Sequence, residues 1–301
     1  MTAAAILAGY GADLALGDPR RGHPVAGFGR LAAALERRVH RPSRVAGTIY
    51  AGVLVGAAAT LGRVAGRRSP ALLAVALWIA LGGRSLVREA RGVAALVEAG
   101  DLPGARRAVT ALVGRDPSRL DGDELCRAAV ESVAENTVDA VVAPLLWAAV
   151  AGPAGVLAHR AANTLDAMVG HRTERHGRFG WAAARLDDAM NWPAARLSAV
   201  ATVALAPVAG GSPGTAWRVL RRDGASHPSP NGGRAEAAFA GALGVRLGGR
   251  NVYAGHVEER PALGDGRPPS PADVERAARL SLAVGASCAV AAAAVRGRAG
   301  P

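Results

Sequence analysis

The sequence contains no lysine: all 36 of its Lys+Arg residues are arginine. Without lysine there is no P-loop lysine, no Schiff base and no pyridoxal-phosphate chemistry. Aromatic residues make up only 4% of the chain, too few to interleave with the arginines as a stacking platform for single-stranded nucleic acid. The two cysteines, Cys126 and Cys288, lie far apart with no CxxC, which leaves a disulfide framework or zinc site without support. Alternating apolar and polar runs are nearly absent, so a strand-rich fold is not expected. No GxxxxGK[ST], no GxGxxG after a strand, no HExxH and no GxSxG occurs. Any use of ATP must therefore proceed outside the familiar nucleotide folds.

What the chain has in abundance is small apolar residues. Half of its 301 residues are hydrophobic, mainly Ala, Val and Leu, and 39 more are Gly. That mix suits close helix packing in a bilayer. The formal charge is +12, carried by arginines between apolar runs and mixed with acids. This is the distribution of positive-inside loops and not of a nucleic-acid surface, and no nucleic-acid partner is expected.

Residues 1–17 are apolar without a basic leader and are interrupted by Asp13, which reads as a membrane-associated helix and not a signal peptide. "VAGTIYAGVLVGAAATLG" (45–62) carries no charge over eighteen residues, close to the roughly 20 needed to span hydrocarbon. After the basic "RVAGRR", the segment 69–83 is apolar again, making a membrane hairpin. Residues 84–130 have helical periodicity and many charges, and read as a soluble helical insertion. Further apolar runs cover 138–158, 193–211 and 280–295, the first interrupted by Pro144, Gly152, Pro153 and Gly155. A Gly/Pro-rich polar loop region occupies 212–279. The expected fold is all-α and polytopic, with about five to six membrane segments in one domain.

Several clusters carry chemistry. Glu131, Glu135 and Asp139 stand four residues apart, one stripe of a helix, with Asn136 among them, at the mouth of an apolar run. Carboxylates at membrane depth are costly and face a cavity or a cation. Asn163 and Asp166 share a helical face ahead of a glycine-punctuated loop with His171, Arg172, Arg175 and His176; guanidinium groups suit phosphate or carboxylate. Asp187, Asp188 and Asn191 group hard oxygen ligands suited to Mg²⁺. "SPNGGRAE" (229–236) brings Ser229 and Asn231 to a helix N-terminus that attracts anions, with Glu236 in its first turn. "GDPRRGHPV" (17–25) carries Asp18 and His23.

Taken together and in order, "GDP", "HPV", "GRL", "AVESVAENTVDAVVAPLLW", "AANTLDAMVGHR", "FGWAAARLDDAMNWPAARLSA" and "SPNGGRAEAAFAGALGVRLGG" resemble the CobD/CbiB family, the adenosylcobinamide-phosphate synthases of cobalamin biosynthesis. The resemblance covers nearly the whole chain. It departs slightly at "SPNGG", often Ser-Pro-Asn-Ala-Gly in the family, and at Ala140, where glycine is common. It implies a multi-pass protein of the bacterial cytoplasmic membrane. It also implies ATP-dependent amide ligation of adenosylcobyric acid with an aminopropanol or its O-phosphate, with Mg²⁺ and a corrinoid substrate. Other late cobalamin-pathway enzymes are possible partners. Glu131, Glu135, Asn136, Asp139, Asp187 and Asp188 are the expected catalytic positions, and Glu131, Glu135, Asp187 and Asp188 the metal ligands. Asp18, His23, Asn163, Asp166, His171, Arg172, Arg175, Asn191, Ser229, Asn231 and Glu236 are expected to bind substrate. A transporter or a pathway scaffold is the alternative, although transport predicts acids inside the spans and most acids here sit at span ends and in loops.

Overall fold

A computed structural model describes residues 2–19, 22–171, 173–253 and 256–298. The chain is predominantly helical and falls into two compact units, each assembled from separated stretches. Among the described residues, four helical stretches are long and apolar enough to cross a bilayer: Arg44–Arg68, Ala71–Glu98, Gly122–Val169 and Pro271–Arg298. A shorter apolar helix covers Ala3–Leu16. This is the composition of a polytopic helical membrane protein.

The first unit comprises residues 1–82, 139–193 and 288–301. It contains α1 (Thr2–Leu16), α2 (Pro24–Val39), α3 (Arg44–Arg68), α4 (Ala71–Ala80) and α8 (Ala143–Val169). The opening of α9 (Trp181–Ala204) belongs to it as well. His23 caps α2, its Nδ1 accepting from the Val25 N–H at 3.2 Å, with Pro24 at the first helical position, where its missing N–H costs nothing. The core gathers Ala32, Tyr50, Leu54, Leu165, Val169 and Phe179. Tyr50 keeps its hydroxyl satisfied by donating to the Ala32 carbonyl at 3.1 Å. Helices α3 and α8 pack so closely that a Cβ on Gly62 would stand 2.4 Å from the Pro153 carbonyl oxygen. Small residues, and not large apolar ones, set this contact.

The second unit comprises residues 83–138 and 194–287. It contains α5 (Gly83–Glu98), α6 (Leu102–Val109), α7 (Gly122–Thr137), the end of α9, α10 (Pro213–Asp223), α11 (Gly232–Leu243) and most of α12 (Pro271–Arg298). Asp121 and Glu124 form a reciprocal capping box that starts α7. The polar stretch 212–279 is more regular than its Gly/Pro content implies. It holds α10, α11 and an antiparallel hairpin of β1 (Leu247–Tyr253) and β2 (His256–Leu263). Gly248 and Gly249, at φ +83° and +90°, supply the irregularity in β1 that only glycine adopts readily. The apolar run 193–211 is no continuous span: α9 ends at Ala204 and a short 3₁₀ turn, Ala206–Ala209, follows around Pro207.

A five-residue π-helix, Val138–Val142, joins α7 to α8, and the boundary between the units falls inside it.

Gly62→Leu should lower the thermal stability of the detergent-purified protein by roughly 1–3 kcal/mol through overpacking. Gly56→Leu, on the same helix but with nothing near its would-be side chain, should change it by less than about 0.5 kcal/mol. Equal thermal shifts for the two would contradict the α3–α8 contact.

Candidate functional site

In the first unit, an amide group organises a cluster of aspartates. Asn163 Nδ2, on α8, lies 3.3 Å from both Asp139 Oδ2 and Asp187 Oδ1. Asn191, one turn after Asp187 on α9, donates to both Asp187 oxygens at 3.1 Å. The Asn191 carbonyl accepts from the fully buried His159 Nε2 at 2.8 Å, which places the His159 proton on that nitrogen. Asp166 and Asp188 are further electrostatic neighbours of Asp187. Burial, reinforced by Asp166, pushes Asp187 up to about 7. Arg160 faces Asp18 and Asp139, and the His23 ring that caps α2 stands 3.7 Å from Asp18.

Such a set of hard oxygen donors with deficient positive charge fits a divalent cation of the Mg²⁺ type. Among the described residues no group of three or more His, Cys, Asp or Glu is positioned to hold a metal by itself.

In the second unit, Glu131 is the hub. Its Oε2 accepts from Arg115 Nη1 at 2.8 Å, and its Oε1 from Arg127 Nη1 at 3.2 Å and the Gly248 N–H at 2.9 Å. Both guanidinium groups also reach Asn251 Oδ1, and Arg127 binds the carbonyls of Gly248 and Arg250. Glu131 is thus already engaged at both oxygens. Asn136 is turned back onto Ser132.

Glu236 is the opposite case. It is 1% exposed on α11, and neither carboxylate oxygen has a hydrogen-bond partner among the described residues. Burial, together with Glu131 and Glu135, raises it well above the ordinary glutamate range. The His227 ring stands 3.7 Å from Glu236 Oε1, beyond hydrogen-bond reach. The Ser229 N–H donates to His227 Nδ1 at 3.0 Å, so the neutral ring carries its proton on Nε2, the nitrogen that faces Glu236. Burial, aided by Arg260, lowers the His227 pKa and keeps it neutral. Ser229 Oγ accepts the Asn231 and Gly232 N–H groups at the start of α11, and Arg196 holds Asn231 Oδ1 at 2.8 Å. Glu135 Oε1 lies beside Gly232, 3.4 Å from its would-be Cβ, where a helix N-terminus favours negative charge.

The expected positions therefore sort into two groups. Asp18, His23, Asp139, Asn163, Asp166, Asp187, Asp188 and Asn191 belong to one unit, and Glu131, Glu135, Asn136, Ser229, Asn231 and Glu236 to the other. Asp139 and Glu131 take their partners in different units, although the chain spaces them as one helical stripe. His171 is an electrostatic neighbour of Asp166, whereas Arg175 and His176 are engaged elsewhere. Arg175 pairs with Glu36 at 2.9 Å, joined there by His176. His171 is exposed, with Nε2 3.1 Å from the Ala167 carbonyl oxygen. Arg172 lies outside the described residues. Arg115, Arg127, His159, Arg160, His227 and Asn251 were not anticipated. Only the Arg127–Glu131 pair, spaced i, i+4 on one helix, left a signal in the sequence.

The arrangement defines a helical membrane protein with two buried, acid-rich clusters. A family model described as "CobD/Cbib protein" matches residues 6–281. The chain is 55% identical over 293 residues to the cobalamin biosynthesis protein CobD of Mycobacterium tuberculosis (strain ATCC 25618 / H37Rv), covering 96% of this chain and 94% of that protein. It is 45% identical over 288 residues to the protein of the same name from Geobacter metallireducens, covering 92% and 90%. The corresponding Rhodobacter capsulatus protein is 43% identical over 303 residues, covering 92% of each. No solved structure matches the chain. The chain belongs to the CobD/CbiB family.

Removing the hub carboxylate strands two buried cations, so Glu131→Ala should destabilise the protein by roughly 3–5 kcal/mol, read as a lowered unfolding temperature in detergent. Glu236→Gln should act in the other direction. A carboxyl whose folded pKa is raised stabilises fully below its unfolded value, near the ordinary 4.5, and loses that contribution as pH rises towards the folded value. The ligand-free protein should therefore lose stability as pH rises above about 4.5 towards the raised folded value. The Gln variant should show a flatter profile and a higher unfolding temperature at pH 8. A Gln variant less stable than the parent at pH 8 would refute the uncompensated carboxylate.

Proposed function

We propose that the protein is an ATP-dependent, amide-forming ligase of cobalamin biosynthesis. It joins the carboxylate of adenosylcobyric acid to (R)-1-amino-2-propanol or its O-phosphate, giving adenosylcobinamide or its phosphate. It works as a multi-pass protein of the bacterial cytoplasmic membrane. Membership of the CobD/CbiB family and the chemistry of the two clusters support this reading.

The observation that carries it is Glu236. A buried carboxylate without a hydrogen bond is costly unless a cation meets it, and the amine substrate arrives as an ammonium. Glu236 holds that ammonium and accepts its proton, leaving the free amine. The second proton leaves on the departing phosphate or AMP as the C–N bond forms, and the neutral His227 keeps its Nε2–H towards the Glu236 carboxyl. ATP transfers a phosphoryl or adenylyl group to the cobyric carboxylate. The amine nitrogen attacks the activated carbonyl, and phosphate or AMP departs with the oxygen. Asp139 and Asp187, oriented by Asn163 and Asn191, with Asp188 as an electrostatic neighbour, would hold Mg²⁺, which supplies charge neutralisation on the phosphates. The N-terminal end of α11, with the Arg196 guanidinium beside Asn231, is a setting suited to an anionic part of the substrates. Water must be kept out, because it would hydrolyse the activated acid.

In membranes containing the protein, adenosylcobyric acid, ATP and the aminopropanol should be consumed together. Expression should restore cobinamide formation in a bacterium lacking its own synthase. Glu135→Gln and Asp188→Asn should each cut turnover by at least about a hundredfold while the protein stays folded in detergent. Growth only on supplied cobinamide, despite verified membrane expression, would count decisively against the ligase reading.

A further inference from the structure

Helix α8 is broken where Gly152, at φ 59° and ψ −147°, precedes Pro153. Proline has no N–H to give the carbonyl four residues back, and that carbonyl belongs to Ala149. Arg296, near the end of α12, supplies the missing donor: its Nη1 reaches the Ala149 oxygen at 3.2 Å. On the other side of the break, Gly62 and Gly66 of α3 lie against Pro153. Immediately after Gly62, α3 changes from an uncharged run to a basic end with Arg63, Arg67 and Arg68.

A pocket of about 390 Å³ opens here, lined among others by Arg63, Arg67, Arg296, Ser69 and Leu73. No acidic residue lines it. Among the described residues none of the three arginines has an ion-pair partner. Three like charges facing one concavity repel unless an anion joins them, and guanidinium forks match phosphate oxygens. The setting specifies what carries the phosphate. The pocket sits at the end of a membrane-spanning helix whose adjoining surface is exposed and apolar: Leu61 is 64% and Val64 44% exposed. Arginines at such an end mark the cytoplasmic interface, where anionic lipid headgroups lie.

We propose that this pocket binds the headgroup phosphate of an anionic phospholipid, with the acyl chains lying along the apolar surface beside Leu61 and Val64. The site is separate from both acid clusters and does not depend on the ligase reading.

The test uses the full-length protein, delipidated in a neutral detergent, with phosphatidylglycerol, phosphatidylcholine or inorganic phosphate added. Retained lipid is read by native mass spectrometry and stability by thermal unfolding. Phosphatidylglycerol should be retained preferentially and should raise the unfolding temperature. The double variant Arg63→Gln/Arg67→Gln should bind it roughly tenfold more weakly or worse, whereas Arg63→Lys/Arg67→Lys, which keeps the charge and tests folding, should retain the preference. Neutralising two exposed arginines of α10, Arg218→Gln/Arg221→Gln, should leave binding unchanged. Equal retention of phosphatidylcholine, an unaltered affinity in the first Gln variant, or an equal loss in the α10 variant would overturn the proposal. Stabilisation by inorganic phosphate alone, matching that of the lipid, would show a free-anion pocket and overturn the lipid assignment.

Discussion

The second unit depends on one buried carboxylate. Glu131 ties α7 to the β-hairpin by accepting from Arg115, Arg127 and the Gly248 N–H at once. An unpaired charge there would be strongly destabilising, as would either arginine alone. The clamp also explains the hairpin. Two strands in isolation are marginal, but here Arg127 caps the carbonyls of Gly248 and Arg250 while Asn251 receives both guanidinium groups. The left-handed glycines bring the backbone of β1 close enough for this to happen. Charge satisfaction, more than apolar burial, fixes the hairpin in place.

Against that saturated carboxylate stand two unsaturated ones. Among the described residues, buried Asp187 has only neutral amides as hydrogen-bond partners, and Glu236 has none. Each unit thus keeps one buried acidic group whose pKa is pushed up instead of being matched by a paired cation. This division of labour follows from donor counting: where arginines converge the acid is structural, and where only amides and other acids converge the acid is available. Perturbed groups of this kind gather at functional sites.

Much of this was legible in the sequence, and the rest was not for definite reasons. The uncharged run 45–62 and the apolar run 280–295 read correctly as parts of spanning helices, because length and composition alone decide that. The capping Asp121 and the proline after His23 mark helix starts in the chain itself. The stripe of Glu131, Glu135 and Asp139 was read with a regular α-helical period. The π-helical turn at Val138–Val142 interrupts that period, and no local residue announces it. Arg175 suits phosphate by composition, yet Glu36, 139 positions earlier, claims it. The strands Leu247–Tyr253 and His256–Leu263 left little alternation to read, since long-range charge pairing with Glu131, Arg115 and Arg127 holds β1 in place. Long-range charge pairing is what a single sequence hides best.

The break at Gly152–Pro153 has a consequence for the order of biogenesis. The carbonyl of Ala149 receives its donor from Arg296, 147 positions further along the chain. At about 5–20 residues per second, roughly 7–30 s separate synthesis of the acceptor from synthesis of the donor. A buried carbonyl left without a donor costs free energy. The bend in α8 is therefore an early feature that only the last helical turns can complete, and a ribosome that stalls before residue 296 leaves it open.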